Sequence, residues 1–236
     1  MGAVLEMIFP RIIGALSAIV LLLLSGCNSG NPADFAAGRV SALTNTFLST
    51  THLPHDDTFS LPDTAKFAPL RTSLATAGQP VLFIKVKSLS FVDLLTPFGL
   101  NNGVRTWSSA HKISVSMRDD VLVATRGFGN DLMSAVAPSL ALISSGTGQF
   151  SRSYYELNGG DQMIRTDFSC TFSQSGNQTL NIFGVTYATR TVLEACAGPG
   201  NSFQNEYWFD QNGRLRQSKQ YFAARNTSLL VQRIID

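Results

Sequence analysis

Ile113-Ser114-Val115-Ser116-Met117-Arg118-Asp119-Asp120-Val121-Leu122-Val123-Ala124-Thr125 decides the fold class. Ile113, Val115 and Met117 alternate with polar residues, the period-two pattern of a strand with one buried face. Arg118-Asp119-Asp120 turns the chain into a second β-rich run, so the stretch reads as a hairpin. The same signature recurs outward. Val81 to Lys87 is a strongly apolar run. Ile164, Thr166, Phe168, Cys170 and Phe172 share one face of a later strand, and Asn181 to Cys196 reads as another long strand. Asn205 to Asp210 and Arg214 to Phe222 flank Asn212-Gly213, a strong short-range hairpin signal.

Between these runs, Phe128 to Gly148 reads as a glycine-bearing loop with a short helix at Asp131 to Val136. Residues 50–80, with Pro54, Pro62, Pro69 and Pro80, read as irregular. Upstream, Asn31 and Pro32 start a helix, and Ala36, Val40, Leu43 and Phe47 recur at helical spacing, which predicts a helix over 32–49. The expected architecture is mainly β. It is an antiparallel curled sheet forming a barrel or sandwich, with one N-terminal amphipathic helix. Of 236 residues, 44% are hydrophobic and 14% charged, enough apolar side chain for one sizeable core. A net charge of +2, with no basic stripe, argues against a nucleic-acid partner.

Ile12 to Leu24 is apolar but falls short of the roughly 20 residues that a spanning helix needs. With Arg11 before it, it fits the h-region of a signal peptide. Leu24-Ser25-Gly26-Cys27 follows and resembles the lipobox of bacterial lipoproteins. Small residues let a peptidase close on the extended backbone, and the thiol carries the diacylglycerol. The expected organisation is a signal peptide over 1–26, a tether over 27–31 and a single β-rich periplasmic domain over 32–236, with Cys27 lipidated. Glu6 sits awkwardly in the n-region, which points to translation from Met7. Asn28, rather than Asp, follows Cys27, which in enteric-type sorting implies the outer membrane, facing the periplasm.

Cys170 and Cys196 fall on two strands expected to lie close together, and export places them in an oxidising compartment. A disulfide is the leading reading, and two buried thiols are the alternative.

Three segments resemble the YjbF-like lipoproteins, which include the lipoprotein of group 4 capsule operons. The first is Gly103-Val104-Arg105-Thr106-Trp107-Ser108, with Leu122-Val123-Ala124-Thr125-Arg126-Gly127-Phe128-Gly129-Asn130-Asp131-Leu132-Met133 after the hairpin. The second is the pair Cys170 and Cys196, with Glu194 before the latter. The third is Tyr207-Trp208, Gly213 and Arg216-Gln217-Ser218-Lys219-Gln220. Asp120 departs from the family, which more often has glycine there. The resemblance implies a lipid-anchored accessory of capsule or exopolysaccharide assembly or secretion, working beside outer-membrane and periplasmic export proteins. It implies no catalytic residues and no cofactor.

His52 and His55, with Asp56 and Asp57, could hold a divalent metal, but a solvated loop explains them as well, and no metal is expected. No Gly-x-Ser-x-Gly elbow or Walker loop is present. Among the carboxylates, Asp131 is the best single guess for an enzyme, against a capping role. Trp107, Tyr207 and Trp208 suit stacking on sugars, and Arg105, Arg126 and Arg216 suit acidic sugars. A protein partner could use the same groups, or the aromatics could be core. Alternation should leave one of Tyr207 and Trp208 facing out. The candidate partner or glycan contacts are therefore Trp107, Arg126, Asp131, Tyr207, Trp208 and Arg216. The leading expectation is a non-enzymatic accessory. An exported polysaccharide-modifying enzyme and a ligand-carrying barrel are the alternatives.

Overall fold

Alternating runs of this kind hydrogen-bond to their chain neighbours, and twelve of them make one antiparallel sheet. The computed structural model describes residues 67–86, 91–129, 131–222 and 227–236. In chain order they form α1 (Ala68–Ala75), β1 (Val81–Val86), β2 (Phe91–Asn101), β3 (Val104–Ser108), β4 (Ser114–Arg118), β5 (Val121–Arg126) and β6 (Leu132–Val136). There follow α2 (Leu140–Ser145), β7 (Gln149–Leu157), β8 (Met163–Ile182), β9 (Val185–Gly198), β10 (Asn201–Asp210), β11 (Leu215–Phe222) and β12 (Thr227–Ile235). The strand order is β5-β4-β3-β2-β1-β12-β11-β10-β9-β8-β7-β6. Every connection but one is to the next strand in sequence, and the exception joins β1 to β12. The sheet curls until its two edge strands, β5 and β6, face each other, so the result is a nearly closed barrel. The helix expected over 32–49 lies outside the described residues.

The inner face carries a large apolar cluster drawn from round the ring and a second one around Phe172, Val192, Tyr207 and Phe209. Trp107 on β3, Met117 on β4, Tyr154 on β7, Phe168 on β8 and Val231 on β12 belong to the first. A second layer covers part of the outside. Past a bulge between Gln174 and Gly176, the β8–β9 hairpin brings Leu180, Ile182 and Phe183 against Phe83, Val92, Trp208 and Ile234. Leu74 of α1 joins this layer. The strands β1, β11 and β12 and the second half of β10, Tyr207–Asp210, are therefore buried on nearly all of both faces.

Turn chemistry accounts for the register. Asp119 and Asp120 both have positive φ (47° and 66°) and link Arg118 to Val121, a two-residue turn of the primed type. Asp is tolerated at 120, where glycine is easier, because its carboxylate holds Arg233 on β12. Asn212-Gly213 ends a three-residue loop instead of forming a two-residue one. Gly213, at φ 75°, donates its N–H to the Asp210 carbonyl, and Asp210 N–H reaches Arg214.

Several sequence expectations need correction. Residues 50–80 are not wholly irregular, because α1 occupies Ala68–Ala75 and buries Leu74. Asp131 to Val136 is not a helix but β6, while the helix of that region is α2. Ser139 caps α2 by accepting from the Leu142 N–H at 3.2 Å, and left-handed Gly146 ends it. Asn181 to Cys196 is not one strand, since Phe183 and Gly184 turn the chain. Phe183 accepts a left-handed backbone (φ 50°) in exchange for a ring packed between Phe67 and Phe83.

Candidate functional site

The most family-like stretch, Thr125 to Met133, forms the barrel seam. No backbone ladder joins β5 to β6 among the described residues. Side chains do that work. The Thr125 hydroxyl donates to Asp131 Oδ1 (2.9 Å) and accepts from the Leu132 N–H (3.0 Å). Arg126 donates through Nη1 to the Leu132 carbonyl (3.0 Å) and through Nη2 to that of Met133 (3.4 Å). The Asp131 carboxylate also accepts from the backbone N–H of Gly127 (2.9 Å) and Phe128 (3.2 Å). Asp131 thus organises the loop by capping backbone donors. Arg126 is fixed on the same junction.

Inside the barrel lies a polar cluster. Arg152 on β7 is 1% exposed, and Glu194 on β9 is fully buried. The guanidinium meets the carboxylate as a fork, Nε to Oε1 at 3.1 Å and Nη2 to Oε2 at 2.9 Å. Tyr207 Oη (2.8 Å) and Asn205 Nδ2 (2.7 Å), both on β10, donate to the same Glu194 Oε2. Asn205 Oδ1 accepts from the Tyr221 N–H, and Tyr154 Oη donates to the Tyr221 carbonyl. Burial by itself lowers the Arg152 pKa, but Tyr154, Glu194 and Tyr207 outweigh it and hold the group above its ordinary value. Burial pushes the Tyr154 phenol up to about 12 and Tyr207 well above its usual range.

Cys170 and Cys196 face each other across β8 and β9 and are joined, with an S–S distance of 2.04 Å. Their sulfurs and a Glu194 oxygen lie within 4.8 Å of one another, but the disulfide and the Arg152 fork occupy the groups that a metal would need.

The proposed contact residues divide accordingly. Trp107 is 2% exposed, beneath the Arg233 guanidinium at 5.7 Å. Tyr207 faces inward, in the cluster with Phe172, Val192 and Phe209. Trp208 faces the outer layer, where its indole N–H donates to Gln178 Oε1 at 2.8 Å. Neither faces solvent, contrary to the alternation argument, because β10 is covered on both sides. Arg216 is saturated by Asp210 (2.7 Å) and Asp236 (2.9 Å), with Tyr187 under its guanidinium. Burial opposes ionisation of Asp210, but the backbone N–H of Arg214 and the Arg216 guanidinium outweigh it and depress its pKa. Arg126 and Asp131 meet at the seam. Trp107, Tyr207, Trp208 and Arg216 do not join them in one cleft. Cys27 lies outside the described residues, as do the His52 and His55 loop.

Two features escaped the sequence reading. One is Arg152, whose pairing with Glu194 no local motif announces. The other is a groove of about 380 Å³ lined by Asn177, Thr189, Arg190, Phe209, Asp210 and Gln211. There the Arg190 guanidinium lies 4.8 Å over the Phe209 ring and bonds to Ser144. Alternating Thr-Arg-Thr on β9 was the available signal.

A nearly closed β-barrel, joined at its seam by side chains and pinned by a buried ion pair and a disulfide, is the class that these observations define. The chain belongs to the family described as group 4 capsule polysaccharide lipoprotein gfcB, YjbF, which matches residues 57–234. The crystal structure of the hypothetical lipoprotein YmcC from Escherichia coli (K12) superimposes with a TM-score of 0.63 at 17% identity, covering 76% of this chain and 98% of that one. At that identity the likeness speaks for the fold. No curated protein matches the chain. Membership makes the protein an envelope-associated member of a capsule polysaccharide lipoprotein family, which is not a known enzyme family.

Proposed function

We propose that the protein is a lipid-anchored, non-enzymatic accessory in capsule or exopolysaccharide assembly or secretion. It is held by acyl chains on Cys27 at the outer membrane and faces the periplasm. The observation that carries this reading is the coincidence of the lipobox Leu24-Ser25-Gly26-Cys27 with the capsule lipoprotein family. Several acyl chains, each CH₂ contributing about 0.8 kcal/mol, anchor a body of this size stably. The commitments of the charged residues support an accessory role: Asp131 caps a loop, Glu194 is locked to Arg152, and Asp210 to Arg216. Export proteins of the outer membrane and periplasm are the expected partners. Glycan contact belongs to the groove beside Arg190 rather than to the buried tryptophans.

The decisive experiment deletes the gene and measures surface and secreted polymer. Loss of polymer, restored by the wild-type gene and not by Cys27→Ser, is expected. Unchanged polymer in the deletion strain, or full rescue by Cys27→Ser, overturns the proposal. Crosslinking from envelopes with mass spectrometry names the partner.

A further inference from the structure

We infer that the exposed half of the β2–β3 ribbon rests on the surface of an anionic phospholipid bilayer, a second membrane contact besides the acyl anchor. The inference takes the anchored reading of Cys27 as its setting. β2 pairs with β1 only as far as Leu95 opposite Leu82, and then runs on to Asn101. Beyond that point its other edge is bonded to β3, and its own outer edge is open. Phe98 is 80% exposed and Leu100 63%, the two most exposed large apolar side chains among the described residues.

Three observations choose the occupant. First, Pro97 and the bulge between Pro97 and Gly99 break the open edge, which disfavours addition of a partner strand and leaves the side chains as the offered surface. Second, the charges suit an anionic surface. Residues 94–118 contain no Asp or Glu. Arg105 lies directly opposite Leu100, and Arg118 opposite Val104. Both are exposed; the acids that bound this stretch along the chain are Asp93 before Arg105 and Asp119 next to Arg118. The other exposed apolar tip, Leu157, Met163 and Ile164 on β7–β8, carries Glu156, Asp161 and Asp167 against Arg165, which an anionic surface repels. Third, the ribbon overshoots the start of β1, the end at which α1 leads the chain into the barrel. The ribbon therefore projects past the neighbouring strand, where a flat surface can reach it. Apolar side chains in the headgroup region with cations at phosphate level form an interfacial anchor.

The test uses the full chain reconstituted in vesicles of phosphatidylethanolamine and phosphatidylglycerol. An environment-sensitive fluorophore is placed by Phe98→Cys or, at the opposite end, by Gly159→Cys, where a side chain meets nothing within 4 Å. Nitroxide-bearing lipids should quench the label at 98 by at least about twofold and leave the label at 159 unchanged. Arg105→Glu with Arg118→Glu, or replacement of the anionic lipid by phosphatidylcholine, should reduce that quenching by at least about half. No quenching at 98, equal quenching at both positions, or quenching at 159 alone overturns the inference. So does label self-association in lipid-free detergent, which would assign the ribbon to a second copy of the chain. Fatty-acid incorporation at Cys27, measured on the same preparation, separates failure of the anchor from failure of this contact.

Discussion

Arg152 and Glu194 form a two-pronged ion pair in the barrel interior, each with almost no access to water. Taking both charges from water is costly, so the pair's net contribution is modest, but either charge alone is expensive to bury. Glu194→Gln leaves the guanidinium unneutralised and should cost about 3–5 kcal/mol in urea unfolding. The double variant Arg152→Met with Glu194→Leu should recover a large part of this, though not all, because Tyr207 and Asn205 lose their acceptor. A double variant less stable than Glu194→Gln contradicts the assignment.

The seam separates a structural from a catalytic Asp131. Asp131→Ala removes the acceptor of the Thr125 hydroxyl and of two backbone N–H groups. A loss of about 1–3 kcal/mol is expected. Polymer output should then follow the amount of folded protein in the envelope. Abolished output with a normal protein level and melting temperature would contradict a purely structural role for Asp131.

Closing the 26-residue separation between Cys170 and Cys196 stabilises the fold by about 3–4 kcal/mol in the chain-entropy model. Replacing both by Ser should lower the unfolding midpoint and raise the m-value, because the unfolded chain expands once the crosslink is gone. An unaltered midpoint shows that the bridge does not constrain the unfolded chain.

The buried phenols impose an alkaline limit. Tyr154 is raised from 10.0 to about 12, so the folded state retains its proton longer than the unfolded chain does. The associated stability is complete below pH 10 and is lost as pH rises through about 12. Tyr154→Phe should flatten that decline in denaturation measured from pH 8 to 12. Asp210 works in the opposite direction. Its depressed pKa contributes stability that is present above 3.8 and lost on further acidification, and Asp210→Asn should flatten the acid limb.

Legibility varied with how local the determining physics is. The β4–β5 hairpin and the β10–β11 pair could be read because alternation and turn residues lie within a dozen positions. Asn102-Gly103, both at positive φ, is an equally good turn signal for the β2–β3 hairpin, which the sequence expectations leave out; Pro97 and Gly99 obscure the strand before it. Strand β6 reads as a helix in sequence because Gly127 and Gly129 set it in an apparent loop, whereas its pairing with β7 is a tertiary decision. Burial of both Tyr207 and Trp208 depends on a hairpin folding over the outside of the barrel, which periodicity within β10 does not report. The barrel and the disulfide were legible. The Arg152–Glu194 pair, 42 residues apart, was not.

The ladder between β1 and β12 has a consequence for the timing of folding. Val81 finds its partner in Ile235, so the first strand stays half-unpaired until the last one has been supplied. Loop closure over that span is slow, and the ring cannot complete while synthesis is still under way. On the proposed export route, a precursor built on this plan remains threadable through a translocation channel up to its final strand, and closes only on the far side.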